Sequence, residues 1–154
     1  MSARDELCEA IVAEARRWIG TPYRHQGSDR ATGCDCLGLV RGVWRAVYGS
    51  EAEVPPAYSA DWAETTREET LLNAALRHLH EIAPAAMEPG DVLVFRWRNF
   101  LPAKHCGILV APGRMVHAYQ GAGFVAEGWL APQWRAKLAG VFRFPPVSND
   151  GSED

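Results

Sequence analysis

Residues 87–119, MEPGDVLVFRWRNFLPAKHCGILVAPGRMVHAY, mark a change from helical to strand-like periodicity along the chain. Before this stretch, apolar residues recur every three or four positions. From Met87 onwards, short apolar runs are separated by Gly and Pro. Two further runs follow, over 123–129 and 138–144. Helices first and strands afterwards favour an α+β fold with a mostly antiparallel sheet of about five to six strands.

Three helices are predicted before this change. The first covers residues 5–19 and ends before Gly20, which suits the left-handed position that often follows a helix. The second begins at Cys36 and ends at Gly49 for the same reason. The third runs over about 65–82 and ends before Pro84, since proline cannot continue a helix.

Composition indicates a single ordinary globular domain. The chain has 154 residues, of which 47% are apolar and 23% charged, with a formal net charge of −3. This balance excludes disorder for most of the chain and argues against a nucleic-acid-binding protein. No apolar run approaches the ~18 residues of a membrane helix, so we expect no membrane insertion. The domain is expected to span residues 1–146, with 147–154 forming a flexible acidic tail.

The N-terminal residues carry charge from Arg4 onwards and therefore lack the apolar segment of a secretory signal. We accordingly expect synthesis in the cytoplasm. Four cysteines in a reducing compartment indicate catalysis, metal binding or core packing more than disulfides. They are Cys8, Cys34, Cys36 and Cys106.

Cys36 has the features of a candidate nucleophile. It opens the second helix, where the helix dipole and free backbone N–H groups stabilise a thiolate. The same N–H groups could stabilise an oxyanion. Asp35 occupies the N-cap position, and Gly38 is expected to keep the first turn narrow enough for a substrate backbone to approach. The alternative is a small buried residue that begins a helix.

Two histidines could complete the site. Strand alternation places His105, Gly107 and Leu109 on one face of a strand, and Cys106, Ile108 and Val110 in the core. A short turn at 111–113 would pair this strand antiparallel with the one that carries His117. His105 would then act as the general base and His117 would orient its ring. The alternative for each histidine is a structural imidazole.

A metal site is the competing chemistry. Cys34 and Cys36, together with His105, Cys106 or His117, supply enough ligands for tetrahedral zinc. However, a C-x-C spacing is tighter than the usual zinc knuckle, and no second close-spaced pair of ligands follows. We therefore expect no metal and no cofactor.

Five motifs in order resemble the NlpC-type cell-wall cysteine peptidases. They are GTPY (20–23), GCDCLGLV (33–40), PGDVLVF (89–95), HCGILV (105–110) and MVHA (115–118). The resemblance covers about residues 7–144 and implies a papain-like domain with helices packed on the sheet. Residues 56–62, PAYSADW, resemble the branch of the family found in phage tails and gene transfer agents.

The resemblance also implies roles for individual residues. Cys36 matches the nucleophile, His105 the general base and His117 the third, orienting residue. Tyr23 matches a tyrosine that helps bind substrate near the nucleophile, and Asp35 matches an acid that pairs with a free substrate amine. The structural alternatives are a packed loop aromatic for Tyr23 and a helix cap for Asp35.

The resemblance implies hydrolysis of peptidoglycan stem peptides between D-glutamate and diaminopimelate. In relatives Ser follows the nucleophile, whereas Leu37 stands here, which leaves the bond preference open. A phage-like tail tip is the implied setting, with other tail proteins as partners. Two alternatives are an inactive structural module of such a tail and a zinc-binding structural domain.

Overall fold

A computed structural model of the chain describes residues 1–55 and 68–147. These residues form four α-helices, eight strands and one short 3-10 turn, Pro84–Ala86. The helices are α1 (Ala3–Arg17), α2 (Cys36–Tyr48), α3 (Thr70–His78) and α4 (Pro132–Arg135). The strands are β1 (Ser28–Asp29), β2 (Gly33–Cys34), β3 (His80–Ile82), β4 (Val92–Phe95), β5 (His105–Ala111), β6 (Arg114–Tyr119), β7 (Phe124–Trp129) and β8 (Leu138–Arg143).

Six of the strands form one antiparallel sheet in the order β3-β8-β4-β5-β6-β7. Strands β1 and β2 form a separate short pair just before α2. The predicted α+β class and the mostly antiparallel sheet of about five to six strands are confirmed. The turn at 111–113 joins β5 to β6 as expected, and Ala111 pairs with Arg114.

Side chains from both faces of the sheet are buried. One face packs against α1, α2 and α3 and contributes Cys106, Ile108 and Val110 to the larger apolar cluster. The opposite face carries Leu109 and a smaller cluster beneath α4. The predicted alternation along β5 is therefore confirmed.

The first two helices follow the sequence prediction closely. Ser2 and Asp5 form a reciprocal capping box at the start of α1, which ends two residues earlier than expected. Helix α2 has the predicted bounds, with Gly49 in the left-handed conformation at its C-terminus. Among the described residues, no helix is long and apolar enough to cross a membrane.

The prediction for the third helix is wrong at its end. Helix α3 stops at His78, and Leu79 is extended. Residues 80–82 instead pair with β8, with His80 opposite Arg143. These residues pair with the free backbone groups at the edge of the sheet, although their apolar spacing also fits a helix. Three parts of the prediction lie outside the described residues. They are the start of the third helix at 65–67, the stretch 56–62 and tail residues 148–154.

Candidate active site

Cys36 lies at the first position of α2 and is half-buried. The helix packs against β5, and this contact brings the Cys36 sulfur within 3.8 Å of the carbonyl oxygen of Lys104. The thiol therefore meets the beginning of the strand that carries His105. The positive end of the helix dipole lies directly behind the sulfur.

Asp35 holds the loop and the helix together. One carboxylate oxygen accepts the backbone N–H of Gly38 at 2.8 Å, and the other accepts that of Gln26 at 2.8 Å. The side chain is only 4% exposed. The predicted N-cap is confirmed, and it fixes the backbone on both sides of Cys36.

The expectation for Gly38 is wrong. The space beside its Cα does not face a substrate cleft but is filled by the carbonyl of Gly27, which a Cβ at this position would overlap. The hydroxyl of Ser28 also donates to the Gly38 carbonyl at 2.7 Å. Gly38 therefore lets the loop before β1 close against the first turn of α2.

His105 and His117 form a hydrogen-bonded pair. Nε2 of His105 lies 2.9 Å from Nδ1 of His117, and the two side chains are 4% and 9% exposed. Gly107 makes room for this arrangement, since a Cβ there would lie 3.0 Å from the Cβ of His117. His105 also lies within hydrogen-bonding reach of Cys36. The structure thus brings the three predicted residues into one chain of contacts.

The surroundings of Cys36 favour its thiolate. A hydrogen bond from the Cys106 thiol, with a smaller contribution from His105, lowers the pKa of Cys36 to about 5 against the opposing effect of burial. The same bond and burial hold the pKa of Cys106 well above its usual range. Burial raises the pKa of Cys34 to about 12. Among these three thiols, only Cys36 has the pKa of an activated nucleophile.

His117 stays neutral near pH 7. Burial, together with the nearby His105, lowers its pKa to about 3. A neutral imidazole can accept a hydrogen bond at Nδ1 from a protonated His105. This is the chemical requirement for a residue that orients a general base.

The remaining predicted residue, Tyr23, lines an open pocket together with Asp35, Cys36 and His105. Burial and the neighbouring Cys36 raise the pKa of Tyr23 to about 12, so its hydroxyl remains a hydrogen-bond donor at neutral pH. Tyr23 and Asp35 therefore both border a pocket that is open to a ligand.

The pocket is also lined by residues that the sequence does not assign to a site, among them His25, Trp97, Lys104 and Tyr119. Tyr119 carried a usable signal, because it lies two positions after His117 and shares its side of β6. His25 and Trp97 lie outside regular strands or helices, where no periodicity indicates the direction of a side chain.

The described residues lend no support to the zinc alternative. Within 1–55 and 68–147, no group of three or more His, Cys, Asp or Glu side chains is arranged to hold a metal ion. Cys36 contacts Cys106, and the histidines bond to each other. The side chains considered as zinc ligands therefore contact each other in pairs.

Comparison with known proteins adds the family. The model of the NlpC/P60 family matches residues 20–143. Gamma-DL-glutamyl hydrolase of Bacillus subtilis (strain 168) is 28% identical over 134 residues, which cover 87% of this chain and 29% of the relative. Murein DD-endopeptidase MepH of Escherichia coli (strain K12) is 29% identical over 103 residues, covering 65% of this chain and 32% of the relative. The chain thus spans less than a third of these curated relatives.

A solved structure agrees in fold. The crystal structure of the NlpC/p60 domain of the peptidoglycan hydrolase SagA superposes with a TM-score of 0.63 at 27% identity, covering 89% of this chain and 98% of that domain. The papain-like α+β arrangement expected from the motifs is confirmed by this similarity. With a family model that matches most of its length, the chain belongs to the NlpC/P60 family.

Proposed function

We propose that this protein is a cysteine peptidase that hydrolyses peptidoglycan stem peptides. The observation that carries the proposal is the Cys36–His105–His117 constellation, with a thiol whose pKa is lowered to about 5 at a helix N-terminus. Family membership and the hydrolase relatives support the same activity. Cys36 would be the nucleophile, His105 the general base and His117 the orienting residue.

In the first half of the reaction, the Cys36 thiolate attacks the carbonyl carbon of the scissile amide. The backbone N–H of Cys36, in the first turn of α2, and the Tyr23 hydroxyl would stabilise the negative oxygen of the tetrahedral intermediate. The C–N bond then breaks, and the proton held by His105 goes to the leaving amine nitrogen. A thioester on Cys36 and a free amine are the products.

In the second half, His105 removes a proton from water, which attacks the thioester carbonyl. The C–S bond breaks, a carboxylic acid leaves, and the thiolate–imidazolium pair is restored. His117 accepts a hydrogen bond from His105 throughout and keeps its ring directed at Cys36. No metal or cofactor is needed for either half.

The bond that we propose is the one between D-glutamate and diaminopimelate. The Asp35 carboxylate caps α2 and lines the pocket, and we propose that it pairs with a free amine of the substrate, as the similarity of this position to the family motif implies. Leu37 lies beside it and presents an apolar side chain where a serine hydroxyl would otherwise stand. This difference favours a less polar substrate group beside Leu37.

A phage-like or gene-transfer-agent tail tip is the setting that we propose, with other tail proteins as partners. The proposal rests on the similarity of residues 56–62 to that branch of the family. Such a particle would use local opening of the cell wall for DNA passage. We also propose that residues 1–146 form the peptidase domain and that 147–154 are a separate tail.

The activity is tested by incubating purified muropeptides with the wild-type protein and identifying the products by liquid chromatography and mass spectrometry. We expect cleavage that leaves a new amino group on diaminopimelate. Cys36→Ala should abolish cleavage while the thermal midpoint stays within a few degrees, since Cys36 is only half-buried. Cys34→Ala, which removes a buried thiol two residues away, is the matched control and should retain cleavage.

Two results would contradict the proposal. Cleavage by Cys36→Ala at the wild-type rate would exclude Cys36 as the nucleophile. Intact wild-type protein that releases no product from any muropeptide, and whose Cys36 reacts like an ordinary thiol, would identify an inactive structural module instead. Cleavage at another bond of the stem peptide would correct the specificity alone.

A further inference from the structure

A group of aromatic rings surrounds the two histidines on the side away from α2. Trp134, in the single-turn helix α4, lies 5.3 Å from the His105 ring and 5.2 Å from the His117 ring, measured between ring centroids. The two imidazoles are themselves 5.1 Å apart. The three rings therefore form a nearly equilateral triangle, and the indole lies against the hydrogen bond that joins the histidines.

The orientation of the indole differs toward the two histidines. Trp134 stacks on His105 with an interplanar angle of 30°, but it meets His117 nearly perpendicularly, at 89°. A stacked aromatic face stabilises a cation within about 6 Å of its centroid. A perpendicular contact is a favourable arrangement for two neutral rings. The stacked indole face can therefore stabilise His105 at the stage of the reaction when that ring takes up a proton, and the perpendicular contact suits a neutral His117.

We propose that Trp134 is a positioning residue for the histidine pair. Its indole fixes the relative angle of the two rings, excludes water from the Nε2–Nδ1 hydrogen bond, and stabilises His105 when that ring carries the additional proton. The inference goes beyond the assignment of the three polar residues, and it rests on the proposed role of His105 as general base.

The surroundings of Trp134 favour this role over simple core packing. The indole also contacts Phe95 at 5.2 Å in an edge-on arrangement and Tyr119 at 5.5 Å, likewise edge-on. With Trp97, whose ring centroid lies 5.6 Å away, these rings pack around the indole while it contacts both histidines. Trp134 remains partly exposed, so it closes the histidine pair off from solvent at the surface.

A second tryptophan offers a comparison within the same chain. Trp129 is 66% exposed, and its ring lies 4.4 Å from the guanidinium carbon of Arg114 rather than beside the histidines. Replacing Trp129 with leucine removes the same amount of side chain as replacing Trp134. Trp129→Leu is therefore the matched control for Trp134→Leu.

The test combines a spectroscopic signal with the kinetics of the full chain. In wild type we expect the hydrogen-bonded ring N–H between His105 and His117 to give a slowly exchanging proton resonance in ¹⁵N-edited NMR spectra at pH 7. Trp134→Leu should lose this resonance through exchange with water, whereas Trp129→Leu should keep it. For muropeptide hydrolysis, kcat should fall about threefold to thirtyfold in Trp134→Leu, with KM unchanged.

Trp134→Phe keeps an aromatic face and guards against a variant that does not fold. It should retain the protected resonance and lose at most about threefold in kcat. The proposal is overturned if Trp134→Leu folds and keeps both the resonance and kcat, or if KM rises while kcat stays constant, which would make Trp134 a substrate contact. A wild-type ring N–H that exchanges as fast as free imidazole would also overturn it. Because the NMR signal needs no substrate, it separates failure of this inference from failure of the proposed hydrolase activity.

Discussion

Replacing Cys106 with alanine is expected to raise the pH midpoint of Cys36 alkylation by about one unit. The Cys106 thiol donates a hydrogen bond to the Cys36 sulfur and makes the largest contribution to its lowered pKa. Cys106 is 1% exposed, so its loss acts on Cys36 through that bond and through local packing. Serine at the same position keeps a hydroxyl donor, which makes Cys106→Ser the matched control.

Loss of the Cys106 thiol changes both the pKa of Cys36, which sets the labelling midpoint, and the intrinsic nucleophilicity of its thiolate, which sets the plateau rate. A hydrogen bond to a charged group contributes about 1.5–3 kcal/mol, and a weak S–H donor belongs at the lower end, which corresponds to about one pKa unit. The midpoint should therefore move from about 5 to roughly 6. A thiolate of higher pKa is also intrinsically more nucleophilic, by about threefold per unit. The labelling rate at the high-pH plateau should accordingly rise even as the midpoint moves up.

The assay is iodoacetamide labelling between pH 4 and 9, read for each cysteine by peptide mass spectrometry. Cys34 serves as an internal reference, since burial holds its pKa at about 12 and it should react slowly throughout. The reasoning would be refuted by an unchanged midpoint in Cys106→Ala. It would equally be refuted if Cys106→Ser shifted the midpoint as far as alanine does.

Two further predictions concern stability. The pKa of His117 is held at about 3 in the folded protein, below the ~6.5 of an unfolded chain, so the unfolded state binds an additional proton between these values and stability falls as the pH drops through this window. His117→Gln should make this dependence shallower by about 1 kcal/mol per pH unit on average in urea denaturation at pH 7, 6 and 5, and an unaltered slope would contradict the assignment. Gly38→Ala should lower the thermal midpoint by at least about 5 °C, because the methyl group overlaps the Gly27 carbonyl, whereas Gly128→Ala, in open space, should change it by less than about 2 °C. Circular dichroism measures the thermal midpoints of the two glycine variants. Equal midpoints would contradict the overlap between a Cβ at position 38 and the Gly27 carbonyl.

Much of the fold is predictable from local sequence patterns. The period-2 runs from Met87 onwards marked five of the strands, and the bounds of α2 followed from Asp35 as its cap and Gly49 at its end. These features depend on neighbours in sequence. Strand β3 does not, because only pairing with β8 decides between helix and strand for residues 80–82.

The site was predictable in its polar residues and not in its surroundings. Cys36, His105 and His117 stand in helix and strand positions whose direction the periodicity gives. Trp134 lies in an isolated turn far along the chain, and no spacing indicates that it contacts two histidines on other strands. The core position predicted for Cys106 is confirmed, but its hydrogen bond to Cys36 depends on how α2 docks on β5.

Mass spectrometry of the acid-quenched reaction tests the proposed chemistry most directly. Wild-type protein mixed with a stem peptide and quenched within milliseconds to seconds should carry the acyl part of the substrate as a thioester on the peptide that contains Cys36. Cys36→Ala should show neither this adduct nor product, and His117→Gln should form the adduct more slowly. Product release by a variant that lacks Cys36, with no adduct on any cysteine of the wild type, would contradict the account.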